Sequence, residues 1–246
     1  MKEKSVVLVE FTGRELTTGK VFDTTSEKAA KEAGIHRENM AFRPMPVIVG
    51  NGDVLPALDE ALRGMNEGES KNIRLAPEKA FGERRKDLIV VVPIREFTER
   101  KIRPLPGLIV DVNGQYGRVQ TVSGGRVRID LNSDLAGKEV EYELKIVKEL
   151  KGTQEICQEL AEKFFPLKSS KAEVRAGKDG IKLKLPKELV QQLTPITVEY
   201  TKTLRSVLPD MSEVTVVESF EEKKAGTKAL LPQAEKTAKK KTAPII

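Results

Sequence analysis

The stretch VIVGNGDVLPALDEAL, Val47 to Leu62, changes its hydrophobic period part-way through, from the run of a strand to the spacing of a helix. Pro44 and Pro46 hold the chain extended on entry to Val47, Ile48 and Val49, and Gly50 to Asp53 reads as a turn. From Leu55 to Met65 the apolar residues Leu55, Leu58, Ala61, Leu62 and Met65 recur on one helical face. Pro56 is tolerated in the first turn, and Gly64 lies near the end. A single short amphipathic helix must bury its stripe against something, and the flanking sequence supplies a sheet.

Upstream, Ser5 to Thr12 reads as a strand, because Val7, Val9 and Phe11 alternate with Val6, Leu8 and Glu10 and the β-branched content is high. Thr17 to Lys20 makes a turn, and Val21 to Asp23 begins the next extended segment. Thr24 to Asn39 is rich in Ala, Lys and Glu, which predicts a short helix before the break at Gly34. Downstream, Ser70 to Ala76 reads as a strand leading to a Pro77 to Gly82 loop. The expected core is α+β: one short helix on a curved antiparallel sheet.

From Leu88 to Asn132 the pattern shifts to short strands separated by turn signals. Asn113-Gly114 and Ser123-Gly124-Gly125 mark hairpins, the second flanked by Val119 to Val122 and Val127 to Leu131. This predicts a small all-β domain inserted within another. Beyond Leu150, Ile156, Leu160 and Phe164, with Cys157, Ala161 and Phe165 beside them, form a broad helical face ended by Pro166. Strands are expected at Lys171 to Arg175, Ile181 to Leu185 and Glu213 to Phe220. Thr194 and Pro195 suit the cap and first position of a second helix bearing Ile196, Tyr200, Leu204 and Val207. The expected division is residues 1–87 with 133–150, 88–132, a C-terminal α+β domain at 151–221, and a basic tail at 222–246.

The chain has 246 residues, 39% of them hydrophobic, which is enough for more than one core. No run reaches the ~18 apolar residues of a membrane span, and MKEKSVVLVEFTG lacks a signal-peptide pattern. A cytoplasmic protein with no membrane partner is expected. Cys157 alone cannot make an internal disulfide, and with His36 as the only histidine there is no zinc cluster or Ser/His/Asp set. No metal and no cofactor are expected. The net charge of +6 is mostly mixed in sign, with an excess in AEKTAKKKTAPII, Ala234 to Ile246, which reads as a disordered tail without aromatics for base stacking. Gly50-Asn51-Gly52 lacks the Lys-Ser/Thr of a phosphate-binding loop and is a turn.

The ordered segments VEFTG (Val9 to Gly13), GKVFD (Gly19 to Asp23), VIVGNGDVLPALDEAL and EKAFG (Glu78 to Gly82), followed by LAGKEVEYELKIVKEL (Leu135 to Leu150), resemble FK506-binding-protein (FKBP) type peptidyl-prolyl isomerases. The long insert before that last segment is similar to the SlyD-like branch, with its insert-in-flap domain. The resemblance implies catalytic positions at Phe22, Asp23, Leu55 and Phe81, and a substrate-binding lining of Phe11, Met45, Val54, Leu58 and Tyr142. It further implies that the Leu55 N–H binds a substrate carbonyl and that the Asp23 carboxylate lies near the twisting amide. Without the resemblance, Phe11, Phe22, Met45, Leu55, Leu58 and Phe81 read as core, and Asp23 as a strand-end or turn residue. Leu58 stands where well-known members carry tryptophan; Phe11 and Phe81 stand where tyrosines are common; Ser133 replaces a histidine often found where the insert rejoins the core. The implied activity is therefore reduced rather than absent.

Such an enzyme needs neither nucleophile nor metal. The barrier is amide resonance, about 18 to 20 kcal/mol, and a thousandfold acceleration requires only about 4 kcal/mol. The resemblance implies unfolded or proline-containing polypeptides as partners, with Leu88 to Val92, Ile94, Phe97, Leu105, Leu108 and Ile109 of the insert as apolar contacts for them. The alternative is a non-enzymatic holdase with a degenerate pocket. A homodimer through the apolar helix faces of the C-terminal domain is a further expectation, and ribosome contact through Lys236, Lys239, Lys240 and Lys241 a weaker one.

Overall fold

The computed structural model describes residues 1–38, 40–165, 173–177, 180–210 and 213–219. In chain order the elements are β1 (Val6–Glu15), β2 (Val21–Thr24), α1 (Glu27–Glu32), β3 (Met45–Ile48), α2 (Pro56–Arg63), β4 (Ser70–Leu75), β5 (Ile89–Pro93), α3 (Ile94–Glu99) and β6 (Ile109–Val112). They continue with β7 (Gln115–Ser123), β8 (Arg126–Asp130), β9 (Val140–Leu150), α4 (Thr153–Phe164), β10 (Glu173–Gly177), β11 (Gly180–Pro186), α5 (Lys187–Val207) and β12 (Val214–Ser219). The basic tail lies outside the described residues, as do Pro166, Lys171 and Ala172. The described residues divide into two compact units, Met1–Ala80 with the described residues from Lys138 onward, and Phe81–Gly137.

In the first unit a five-stranded antiparallel sheet runs β2-β1-β9-β4, with β3 on the same edge of β1 as β2. Alternation along β1 gives the sheet two apolar faces. Val7 and Val9, opposite Val47 and Met45, turn to the front, where Leu62 and Met65 at the end of α2 close a core with Leu144 and Ile146. Val6, opposite Ile48 and Leu150, turns to the back. There it meets α4, whose Ile156, Cys157, Leu160 and Ala161 are buried. The same core continues through Val174, Ile181 and Leu183 of a three-stranded sheet, order β10-β11-β12, and through Tyr200 and Leu204 of α5. The α4 and α5 apolar faces pack together within one chain, with Ile156, Leu160, Tyr200 and Leu204 buried and Phe164, Ile196 and Val207 partly so.

Helix α5 differs from its expected start. It runs from Lys187 straight through Pro195, because KELVQQL upstream is a strong helix former and one missing N–H interrupts only one bond of the ladder.

The second unit is a four-stranded sheet, order β5-β8-β7-β6, around Val92, Phe97, Val110, Val119, Val127 and Ile129. Both hairpins fall where the turn signals stand: Asn113 and Gly114 (φ 53° and 81°) and Gly124 and Gly125 (φ 56° and 73°) have the paired positive φ of two-residue turns. The expected all-β domain is corrected by α3, a short helix entered from Pro93 that buries Phe97 in this core. At its neck, Asn132 bonds both ways to Arg85, accepting from its N–H at 2.8 Å and donating to its carbonyl at 2.9 Å. Asp130 beside it accepts from Gln120, from the Asn132 backbone and side chain, and from Arg84. Burial alone raises the Asp130 pKa, but the bonds from Asn132 and the Arg84 charge outweigh it and hold the carboxyl below its ordinary value.

Candidate functional site

At the β2 end of the front face, where α2 no longer covers the sheet, the registers bring Asp23, Gly13, Tyr142 and Ile73 into one row across β2, β1, β9 and β4. Directly opposed residues share a face, so Asp23 and Tyr142 flank a glycine on the front side. The register of β2 slips here: Val21 opposes Arg14 and Asp23 opposes Gly13, leaving Phe22 as the extra residue of a bulge. Bulges re-aim side chains next to sites. The Phe22 ring meets Tyr142 edge-on with centroids 5.6 Å apart, and the Phe11 ring lies tilted to Tyr142 with centroids 6.2 Å apart.

Gly13 is what lets these rings in. A Cβ there would lie 2.7 Å from Phe22 Cζ and 2.9 Å from Tyr142 Cε1. This residue was missed as part of the site, although a glycine within an alternating strand signals close approach. Met45, Val54 and Phe11 all pack against the front core. Leu58 and Tyr142 are buried, while Phe11, Phe22, Asp23, Met45, Val54 and Leu55 are half-buried. A closed floor with half-open walls is the form of an apolar cleft.

Leu55 caps α2 with extended backbone, its carbonyl accepting from Leu58 and Asp59. Pro56 at the first helical position has no N–H. Among the described residues the Leu55 N–H has no acceptor, the usual state of a helix-start donor. The loop before it is pinned from both sides: Asp59 accepts the Gly50 N–H at 2.8 Å, and Asp53 accepts the Ile48 N–H at 2.9 Å. Phe81 is partly buried and opens the second unit, so the first unit's geometry does not include it.

Burial pushes the Asp23 carboxyl above its ordinary pKa, against a weaker opposing bond from the Thr24 backbone. Burial and then the Asp23 charge push the Tyr142 phenol up to about 12. Two cavities of about 500 Å³ lie in this unit, one walled by Arg14, Glu15, Lys20, Val21, Glu32 and Glu141, the other by Glu10, Phe11, Phe42, Arg43, Glu143 and Lys145. His36 lies apart, stacked on Phe42. Among the described residues no helix is long and apolar enough to cross a membrane.

The first unit thus holds an aromatic cluster with a half-buried carboxylate, and a helix-start N–H without an acceptor among the described residues. The profile of the FKBP-type peptidyl-prolyl cis-trans isomerase family matches residues 1–93, and that described as "FKBP26, IF domain" matches residues 90–135. A short-type peptidyl-prolyl cis-trans isomerase of Methanocaldococcus jannaschii is 35% identical over 128 residues, covering 52% of this chain and 82% of that protein. An FKBP-type 16 kDa isomerase of Escherichia coli is 24% identical, covering 60% and 92%. The SlyD isomerase of Treponema pallidum is 26% identical, covering 57% and 73%. The chain belongs to the FKBP-type peptidyl-prolyl cis-trans isomerase family, in its SlyD-like branch, and is an isomerase of X–Pro bonds.

Proposed function

We propose that the chain accelerates proline-limited folding of polypeptides that its insert first captures. The Phe22, Tyr142 and Asp23 cluster is the observation that carries the isomerase half of this proposal. The proline ring sits among Phe11, Phe22, Met45, Val54 and Tyr142, over Leu58, and the Leu55 N–H donates to a substrate carbonyl. The planar amide is more polar than the twisted one. Removing it from water therefore disfavours the ground state, and contacts that fit only the twisted form lower the barrier. Asp23 acts on the amide under rotation.

Capture is supported by the insert's surface. Val91, Leu105, Ile109 and Tyr116 expose 57%, 53%, 42% and 66% of their area, whereas Val92 and Phe97 are core and Val90, Ile94 and Leu108 pack on it. Tyr116 joins the contacts expected from sequence; Val92 and Phe97 leave them.

The test is catalysis of proline-limited refolding at enzyme concentrations far below the client, with aggregation suppression measured in parallel. Asp23→Ala should abolish most turnover and spare suppression, and Tyr116→Ser with Val91→Ser should do the reverse. No acceleration by the folded intact protein would instead assign the holdase alternative.

A further inference from the structure

The loop that presents Val54 and Leu55 is held by the C-terminal part of the chain as well as by its own hydrogen bonds. Lys163, near the end of α4, places its Nζ 2.9 Å from Asp53 Oδ2. That same oxygen closes the Gly50 to Asp53 turn by accepting the Ile48 N–H. Both side chains are largely shielded, 25% and 14% exposed, so solvent screens the pair weakly. On the other flank of β3, Arg43 pairs with Glu159 at 2.7 Å and Glu162 at 3.0 Å, again on α4, two residues before Met45 of the pocket lining. Between these pairs, Ile48 of β3 lies in one apolar core with Ile156 and Leu160. One face of α4 therefore grips both ends of the segment that carries Met45, Val54 and Leu55.

We propose that Lys163 is a positioning residue for the isomerase site, and that α4 is a brace fixing where the Leu55 N–H points. Asp53 is the joint. Its carboxylate ties the turn to β3, and the Lys163 charge fixes the carboxylate, so Leu55, two residues on, inherits the orientation. A charge-assisted bond to a shielded carboxylate is stronger than a neutral one and more geometrically demanding. This assigns the C-terminal part a task within a single chain. It rests on the proposed role of Leu55, and its test is arranged so that the two can fail separately.

In the full-length protein, Lys163→Met should lower kcat/KM on a proline peptide about tenfold. The loss should fall mainly on KM, because the Leu55 N–H binds ground and transition states alike. Lys163→Arg should recover most of it. Asp53→Asn keeps an acceptor for the Ile48 N–H while losing the charge; it should reproduce the defect, and the two defects should not add. Lys148→Met is the control. It removes the ion pair of Lys148 with Glu155 at the far end of α4, so it weakens docking without touching the loop and should leave kcat/KM unchanged.

In both defective variants the Leu55 amide resonance should shift, which needs no turnover. Wild-type kcat/KM in folded Lys163→Met, or an equal loss in Lys148→Met, would overturn the brace. If Lys163→Met does not fold, Asp53→Asn alone decides between the same outcomes. An intact protein without turnover would fail the isomerase assignment while leaving the amide shift to judge the brace.

Discussion

The front and back of the same sheet are finished differently. On the back, α4 buries the Val6 end of the sheet and shares one core with α5: Cys157, Leu160, Tyr200 and Leu204 are inaccessible, and even the Tyr200 hydroxyl donates to the Cys157 carbonyl at 2.9 Å. On the front, α2 seals Val7, Val9 and Leu144, then stops, leaving Phe11, Phe22 and Asp23 half-covered. Burial on the back also pushes the Cys157 thiol up to about 12 and the Tyr200 phenol above its ordinary value, which leaves both inert there. The contrast shows where local consistency was given up for a site: a glycine in mid-strand, a bulge in β2 and a carboxylate under desolvation all lie on the open half of the front.

The largest change should come from the closed face. Leu204→Ala opens a cavity in the back core and should cost roughly 2 to 5 kcal/mol in urea denaturation, with kcat/KM of the folded fraction kept. A matching fall in kcat/KM would erase the distinction between the faces. On the open face, Gly13→Ala should lower kcat/KM about a hundredfold, the scale of a misplaced pocket, because Phe22 and Tyr142 must both retreat from the new Cβ. Unchanged activity would show that these rings do not shape the site.

Asp23→Asn should act smallest on the fold, lowering kcat/KM about tenfold without lowering the melting temperature at neutral pH. Its raised pKa means that the folded chain holds this proton more tightly than the unfolded chain. Its contribution to stability therefore falls as pH rises from the ordinary carboxylate value through the raised one. Removing the charge should flatten that window in a melting-temperature series, and an unchanged slope would place the ionisable burden elsewhere.

Much of this was legible. The alternation of Val6 to Phe11 set the two faces of β1, the spacing of Leu58 and Leu62 set α2, and Asn113-Gly114 located a hairpin, because each is a local periodic or turn preference. The family's ordered segments pointed to Phe22, Asp23 and Tyr142. Hidden were features that depend on what lies opposite. Nothing near Phe22 announces the bulge that aims it, which exists only in register with β1. Gly13 carries a signal, but its meaning requires the two rings. The broad apolar face at Ile156 to Phe165 was plain, yet its partner, the back of a sheet that begins at Val6, lies across the whole length of the isomerase segment. Pro195 looked like a helix start because proline favours the first helical position, whereas the helix already runs through KELVQQL before it.

The paired hydrogen bonds between Arg85 and Asn132 have a consequence for how such a chain assembles. These residues are 47 positions apart, yet the chain leaves and returns at nearly one point. To the surrounding polymer the whole excursion is then a closed loop, and loop-closure entropy grows only logarithmically, by about 0.6 kcal/mol per doubling of length. Lengthening, shortening or exchanging the excursion changes that cost very little, so long as its two ends still meet.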